Sequence, residues 1–165
     1  MSKKHNFSAG PSILPPAVFE KASNAIRELD GAGLSLIEMS HRSPEFSAIM
    51  ESAQAHVKEL LNVPDNYSVL FLQGGASLGF YMTAMNFLKE GGKAGYINTG
   101  AWSKKAIKEA KMVGNIEVLA SSEDANFNYF PKGYDMPADL DYLHITSNNT
   151  ILERRSRTSH KPMCR

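Results

Sequence analysis

Apolar residues recur at helical spacing in several segments of the chain. Residues 15–29 place such residues on one helical face before the stretch "DGAG": Val18, Ala22, Ala25, Ile26 and Leu29. Residues 43–63 carry a second apolar face, with Ser43 as the predicted N-cap and Pro44 at the first helical position. Two further helices are predicted, from about residue 77 to 88 and over residues 101–113.

Short apolar runs between these helices predict strands. The runs lie at residues 67–72, 93–98, 116–121 and 142–146, and a long polar and aromatic loop at 122–139 precedes the last of them. Strands that alternate with helices are typical of a mostly parallel sheet flanked by helices. The predicted fold class is therefore α/β.

Composition narrows the class of protein. The chain has 165 residues, of which 42% are apolar and 21% charged, as in an ordinary globular domain with its own core. A net charge of +1 gives no argument for a nucleic acid or a membrane surface as a partner. We find neither an apolar run of spanning length nor a secretory signal, and the single cysteine excludes an internal disulfide. A cytoplasmic protein is expected.

The last fourteen residues differ from the rest. Residues 152–165 hold four of the six arginines and the only cysteine, and their five basic groups and one acid give a net charge of +4. We therefore divide the chain into residues 1–151, which make up the fold, and a tail at 152–165. The tail is interpreted either as a basic interaction arm or as an out-of-frame sequence.

The "GGAS" stretch at residues 74–77 joins an apolar run to a predicted helix. Unpaired backbone N–H groups at a helix start, together with the helix dipole, favour a bound phosphate, and glycine allows its close approach. The stretch lacks both the P-loop pattern and the dinucleotide-binding pattern. Taken alone, it is better interpreted as a structural turn.

Three further segments change this interpretation. They are "NFSAGPSILP" at residues 6–15, "SHRSPEF" at 40–46 and "NTGAWSKKAIKEAK" at 98–111. With "GGAS", in this order, they resemble the N-terminal part of the phosphoserine aminotransferases, which are class-V aminotransferases that use pyridoxal 5'-phosphate. The resemblance runs from about residue 6 to 151. It implies part of a fold-type I pyridoxal-phosphate transferase large domain, and a homodimer.

The resemblance also implies cofactor-binding residues. Gly75, Ala76 and Ser77 match the turn that receives the cofactor phosphate, although some relatives carry an arginine in place of Ser77. Trp102 matches the aromatic residue that stacks on the pyridine ring, and Thr150 matches a threonine that lines the cofactor site. The plainer alternatives are an ordinary core or surface aromatic for Trp102 and a strand-end cap for Thr150.

Substrate-binding residues are implied in the same way. Arg42 matches the arginine that holds the acidic groups of the substrate, His41 matches its neighbour, and Ser8 is a weaker candidate. The plainer alternative for His41 and Arg42 is a solvated cap before a helix. The reaction implied is transfer of the amino group of L-glutamate to 3-phosphohydroxypyruvate, in serine biosynthesis and, in bacterial relatives, vitamin B6 biosynthesis.

The resemblance implies that the catalytic machinery is incomplete in these 165 residues. In the family, the lysine that forms the Schiff base with the cofactor lies beyond the position of Thr150, so we expect a truncated and inactive form without a catalytic residue. The histidines lack metal-ligand spacing and are interpreted as structural or surface residues, and no metal site is expected. The alternatives are another class-V aminotransferase and a non-catalytic phosphate-binding or interaction fragment.

Overall fold

The structure is a computed structural model that describes residues 4–152 and 154–155. The described residues form two compact units, one up to residue 71 and one from residue 72 onward. In the described part of the chain, no helix has both the length and the apolar character to cross a membrane.

The first unit is helical. Helix α1 spans Pro16–Arg27 and helix α2 spans Pro44–Leu61, which confirms both predicted helices. The hydroxyl of Ser43 accepts a hydrogen bond from the backbone N–H of Phe46 at 3.3 Å, as predicted for the N-cap. Asn62, in the left-handed region at φ +49°, ends α2.

The strand predicted at residues 67–72 is wrong. This run has no regular structure, and its side chains are largely exposed, with Leu70 at 69% and Leu72 at 61%. A strand requires a hydrogen-bonding neighbour, and no strand of the described residues pairs with this run. The side-chain amide of Gln54 donates to the carbonyl of Val69 at 3.1 Å instead.

The second unit contains a parallel sheet flanked by helices, which confirms the predicted α/β class. Strand β1 spans Lys93–Asn98, β2 Asn115–Ser121 and β3 Tyr142–His144. The order across the sheet is β2-β1-β3, and both neighbours run parallel to β1. Helix α3 spans Gly75–Phe87 and α4 spans Ala101–Lys111.

The core of the second unit lies between the central strand and its helices. Every residue of β1 after Lys93 is buried. The predicted inward face of α4 is confirmed for Ala106, Ile107 and Ala110, which pack with Ala84 of α3 and Tyr96 of β1. Because β1 is covered on both sides, its carboxyl end and the start of α4 are held in a defined position.

The sequence did not predict the elements that follow β3. Strand β4, at Asn148–Asn149, pairs antiparallel with β5, at Arg154–Arg155, and a turn of 3₁₀ helix at Thr150–Leu152 connects them. Two-residue strands show no hydrophobic period, so no pattern could predict them. Most of the predicted tail at 152–165 lies outside the described residues.

Candidate functional site

A cavity of about 430 Å³ opens in the second unit. Residues of α3, of α4 and of the chain from the end of β3 onward line it, among them Ala76, Phe80, Trp102, His144, Thr146 and Thr150. In parallel α/β sheets, the carboxyl ends of the strands are where ligands bind. Three of the predicted cofactor residues, Ala76, Trp102 and Thr150, therefore lie around one space.

The first turn of α3 provides unpaired backbone donors beside this cavity. Helix α3 begins at Gly75, two residues earlier than predicted, so Gly75, Ala76 and Ser77 all lie in its first turn. The N-cap is Gly74 at φ +99°, and a Cβ there would lie 2.5 Å from the Leu78 side chain, so only glycine fits. Gly74 offers no side-chain cap. The donors of this turn therefore lack an intrahelical partner and are suited to an anion.

Trp102 is held at both its backbone and its ring. Its indole N–H donates to the hydroxyl of Thr150 at 2.8 Å, and its backbone N–H donates to the Oδ1 of Asn149 at 3.2 Å. The ammonium of Lys105 lies 6.0 Å from the centroid of the indole ring. These contacts fix the position of a flat aromatic surface in the cavity wall.

No predicted site residue corresponds to Asn149, which is 2% exposed. Its Nδ2 donates to the carbonyl of Thr99 at 3.2 Å and to the hydroxyl of Thr99 at 3.1 Å. The polar pair of asparagines before Thr150 is a signal of a strand-end site, but the partners of Asn149 lie about fifty residues earlier in the chain. No local pattern reveals such a contact.

His144 lies on the inner side of the cavity. Its ring stacks on Tyr96, with centroids 4.8 Å apart, and meets Phe80 edge-on at 5.8 Å. Burial lowers the pKa of His144 below its usual value of 6.5. Within the described residues, neither its Nδ1 nor the hydroxyl of Thr146 has a hydrogen-bond partner. The imidazole is therefore neutral near pH 7 and adds no positive charge to this wall.

The predicted substrate residues lie in the other unit. Ser8, His41 and Arg42 are all exposed, and they belong to residues 1–71. The backbone N–H of Arg42 donates to the hydroxyl of Ser40 at 3.2 Å, and that of Ser8 donates to Asn6 at 2.8 Å. The cavity is lined by residues of the second unit, so the substrate-binding role of these three stays a prediction.

No metal-binding cluster of three or more histidine, cysteine or acidic side chains occurs in the part of the chain that the structure describes. The polar groups around the cavity are hydroxyls, amides, backbone N–H groups and the imidazole of His144. Their chemistry suits hydrogen bonding to an anion and packing against a flat ring.

Comparison with known proteins identifies the family. Residues 4–152 match the sequence profile of the family described as aminotransferase class-V. The chain belongs to the class-V aminotransferases. This confirms the family that the four motifs indicated.

Several relatives of this class-V aminotransferase chain are named phosphoserine aminotransferase. The protein from Bacteroides fragilis is 56% identical over 149 residues, which cover 90% of this chain and 41% of the relative. The protein from Listeria monocytogenes is 52% identical over 153 residues, covering 92% of this chain and 42% of the relative. The chain thus spans about two fifths of the length of the curated relatives it matches.

Solved structures agree with this class-V assignment. A phosphoserine aminotransferase from Bacillus circulans subsp. alkalophilus matches with a TM-score of 0.85 and 45% identity, over 93% of this chain and 43% of its own. A phosphoserine aminotransferase from Trichomonas vaginalis, described as bound to pyridoxal phosphate, matches with a TM-score of 0.80 and 32% identity. The match covers 89% of this chain and 42% of that structure's chain.

Proposed function

We propose that the chain forms the part of a phosphoserine aminotransferase that receives the phosphate and the ring of pyridoxal 5'-phosphate. The whole enzyme would transfer the amino group of L-glutamate to 3-phosphohydroxypyruvate. The observation that carries this proposal is that the unpaired first turn of α3 and the indole of Trp102 adjoin one cavity. The identity to proteins named phosphoserine aminotransferase supports the choice of reaction.

The residues present fit this cofactor. Its phosphate suits the backbone donors of Gly75, Ala76 and Ser77, to which the Ser77 hydroxyl adds a further donor. Its flat pyridine ring suits the face of the Trp102 indole. The cavity volume of about 430 Å³ is within the range of small-ligand sites. When bound, pyridoxal phosphate supplies the electron-withdrawing ring on which amino transfer depends.

The hydroxyl of Thr150 has a defined role in this arrangement. Because it accepts the indole N–H of Trp102, its own proton stays available for a second partner. The neutral ring of His144 supplies an uncharged surface nearby. Together these groups favour a ligand that combines a polar edge with an aromatic face.

We extend the proposal to the substrate and the assembly. Arg42, with His41 and Ser8, would bind the acidic groups of the substrate, since a guanidinium forms paired hydrogen bonds with carboxylate or phosphate. A cytoplasmic homodimer is proposed for the whole enzyme. These statements rest on the family.

Cofactor binding can be measured in this chain because Trp102 is its only tryptophan. Titration with pyridoxal 5'-phosphate should quench the indole fluorescence to saturation, whereas pyridoxal, which lacks the phosphate, should bind at least about tenfold more weakly. The change Ser77→Ala should weaken binding of the phosphate form, whereas Ser47→Ala, on α2, should not. Equal quenching by the two compounds would refute a phosphate site at α3.

The reaction is tested on the protein purified from its native source. Formation of 2-oxoglutarate from L-glutamate with 3-phosphohydroxypyruvate as acceptor is the expected result. Pyruvate and glyoxylate serve as control acceptors, and a preference for either would assign the protein to another class-V activity. Cofactor binding without any amino transfer would favour the alternative of a non-catalytic phosphate-binding protein.

A further inference from the structure

One buried asparagine connects the chain after β3 with the start of α4, where Trp102 lines the cavity. Asn149, in β4, accepts a hydrogen bond from the second residue of α4 and donates to Thr99, the first residue of the β1–α4 connection. A buried side-chain amide is unfavourable unless its groups are paired, and here both ends of the amide are paired. The site therefore requires an amide side chain in one orientation, with its oxygen toward Trp102 and its nitrogen toward Thr99.

The same short segment holds both ends of one tryptophan. Asn149 binds the backbone N–H of Trp102, and the next residue, Thr150, binds its indole N–H. A tryptophan side chain has two rotatable bonds, so fixing its backbone and the far edge of its ring fixes the plane of the ring. Helix α4 has no side-chain cap from its N-cap residue, and Asn149 takes that place from a distant part of the chain.

The residue at the N-cap of α4 makes room for this contact. A Cβ on Gly100 would lie 2.7 Å from both Cγ and Oδ1 of Asn149, closer than real side chains approach. The absence of a side chain at Gly100 is therefore a steric condition for the position of Asn149. Two residues far apart in sequence thus act on the same hydrogen bond.

We propose that Asn149 is a positioning residue that fixes the plane of the Trp102 indole and the hydroxyl of Thr150 at the cavity. Gly100 leaves the space that the Asn149 side chain needs. Asn149 contacts neither ring face itself and acts through its two neighbours. Its effect on the ring is independent of any ligand, whereas its effect on binding of pyridoxal 5'-phosphate rests on the proposed function.

The first experiment follows the single tryptophan of the free chain. Asn149→Ala and Gly100→Ala should lower the fluorescence anisotropy of Trp102 and raise its quenching by acrylamide, because each lost hydrogen bond shifts the ratio of displaced to seated ring by roughly fivefold. The matched control is Asn86→Ala, at an exposed position on α3, where the amide bonds only to the preceding turn. It should leave both quantities unchanged.

A second pair of variants covers the case in which Asn149→Ala does not fold. Thr150→Val keeps the shape of the side chain and removes the acceptor of the indole N–H, whereas Thr150→Ser keeps that acceptor. Thr150→Val should release the ring, and Thr150→Ser should restore wild-type anisotropy. Wild-type anisotropy and quenching in the folded variants at 100, 149 and 150 would overturn the proposal.

The ligand arm separates this proposal from the proposed function. In titrations with pyridoxal 5'-phosphate, Asn149→Ala should weaken binding. Among the variants at 100, 149 and 150, those that mobilise the ring more should also bind more weakly. If the wild-type chain does not bind the compound but Asn149→Ala still mobilises Trp102, the positioning role stands and the proposed function fails for this chain. If binding is normal and the ring is unaffected by Asn149→Ala, the positioning role fails and the proposed function stands.

Discussion

Two tyrosine hydroxyls that share one hydrogen bond should respond unequally to removal. The hydroxyls of Tyr96, in β1, and Tyr142, in the neighbouring β3, lie 2.8 Å apart, and their rings meet edge-on at 5.9 Å. Tyr96 is only 1% exposed, whereas Tyr142 is half-buried. Burial and the bond to Tyr142 both raise the pKa of Tyr96, so its hydroxyl stays protonated. The pair connects the strands whose carboxyl ends lead to the cavity.

The loss of stability in each variant depends on how deeply the remaining hydroxyl is buried. Tyr142→Phe leaves the Tyr96 hydroxyl buried without a partner, at an expected cost of about 1–3 kcal/mol. Tyr96→Phe leaves the hydroxyl of the half-buried Tyr142 without its partner, which is less costly than for a fully buried hydroxyl, so the expected cost is about 0.5–1 kcal/mol. The double variant removes both groups and should cost less than the sum of the single variants by about 1 kcal/mol.

Urea unfolding followed by circular dichroism gives the free energy of unfolding for each member of this cycle. The matched control is Tyr67→Phe, at a side chain that is 60% exposed, where a change below about 0.5 kcal/mol is expected. A larger loss for Tyr96→Phe than for Tyr142→Phe would refute the reasoning from burial. Strict additivity of the two losses would refute the shared hydrogen bond.

Three further results are expected. Ser103→Ala removes the buried acceptor of the Thr99 N–H, at 2.8 Å, and should lower the free energy of unfolding by about 1–3 kcal/mol in urea; a loss below about 0.5 kcal/mol would contradict this. Because burial lowers the pKa of His144, the unfolded chain binds a proton that the folded chain does not, so stability is lost as pH falls below 6.5. Between about pH 7.5 and pH 5, the free energy of unfolding should fall less in His144→Gln than in the wild-type chain, and one group can account for at most about 1.4 kcal/mol per pH unit. The exposed control His56→Gln should lose as much as the wild-type chain. Leu70→Lys places a charge in an exposed apolar run and should slow aggregation measured by light scattering; an unchanged rate would contradict this.

The helices and the central strand could be predicted because their signals are local. Ser43 with Pro44 marks the start of α2, and the inward face of α4 follows from its helical period. Strand β1 lies at the predicted residues 93–98. In each case, the residues that decide the structure lie within a few positions of one another.

The burial of a segment and its strand or hydrogen-bond partners depend on residues that are distant in sequence. The predictions that needed such information were wrong or were not made. The apolar pattern at residues 67–72 has the composition of a strand, but composition cannot supply the neighbouring strand that it needs. The role of Asn149 depends on Thr99 and Trp102. These two residues lie about fifty positions earlier in the chain, before β2 and the long loop. Such contacts follow from topology, which the sequence pattern constrains only at the level of fold class.

The two groups of candidate site residues differ in the same respect. Ala76, Trp102 and Thr150 lie in one unit and line one cavity, and the approach of Trp102 to the carboxyl edge of the sheet follows from its position just after β1. Ser8, His41 and Arg42 lie outside helices and strands in the other unit, and no sheet register positions them. The ring and phosphate part of the proposed site therefore rests on geometry within one unit, and the substrate part rests on the chemistry of an arginine and its neighbours. Mutations in the first group test the fold and the site together, whereas mutations of the exposed Arg42 test its proposed role in substrate binding.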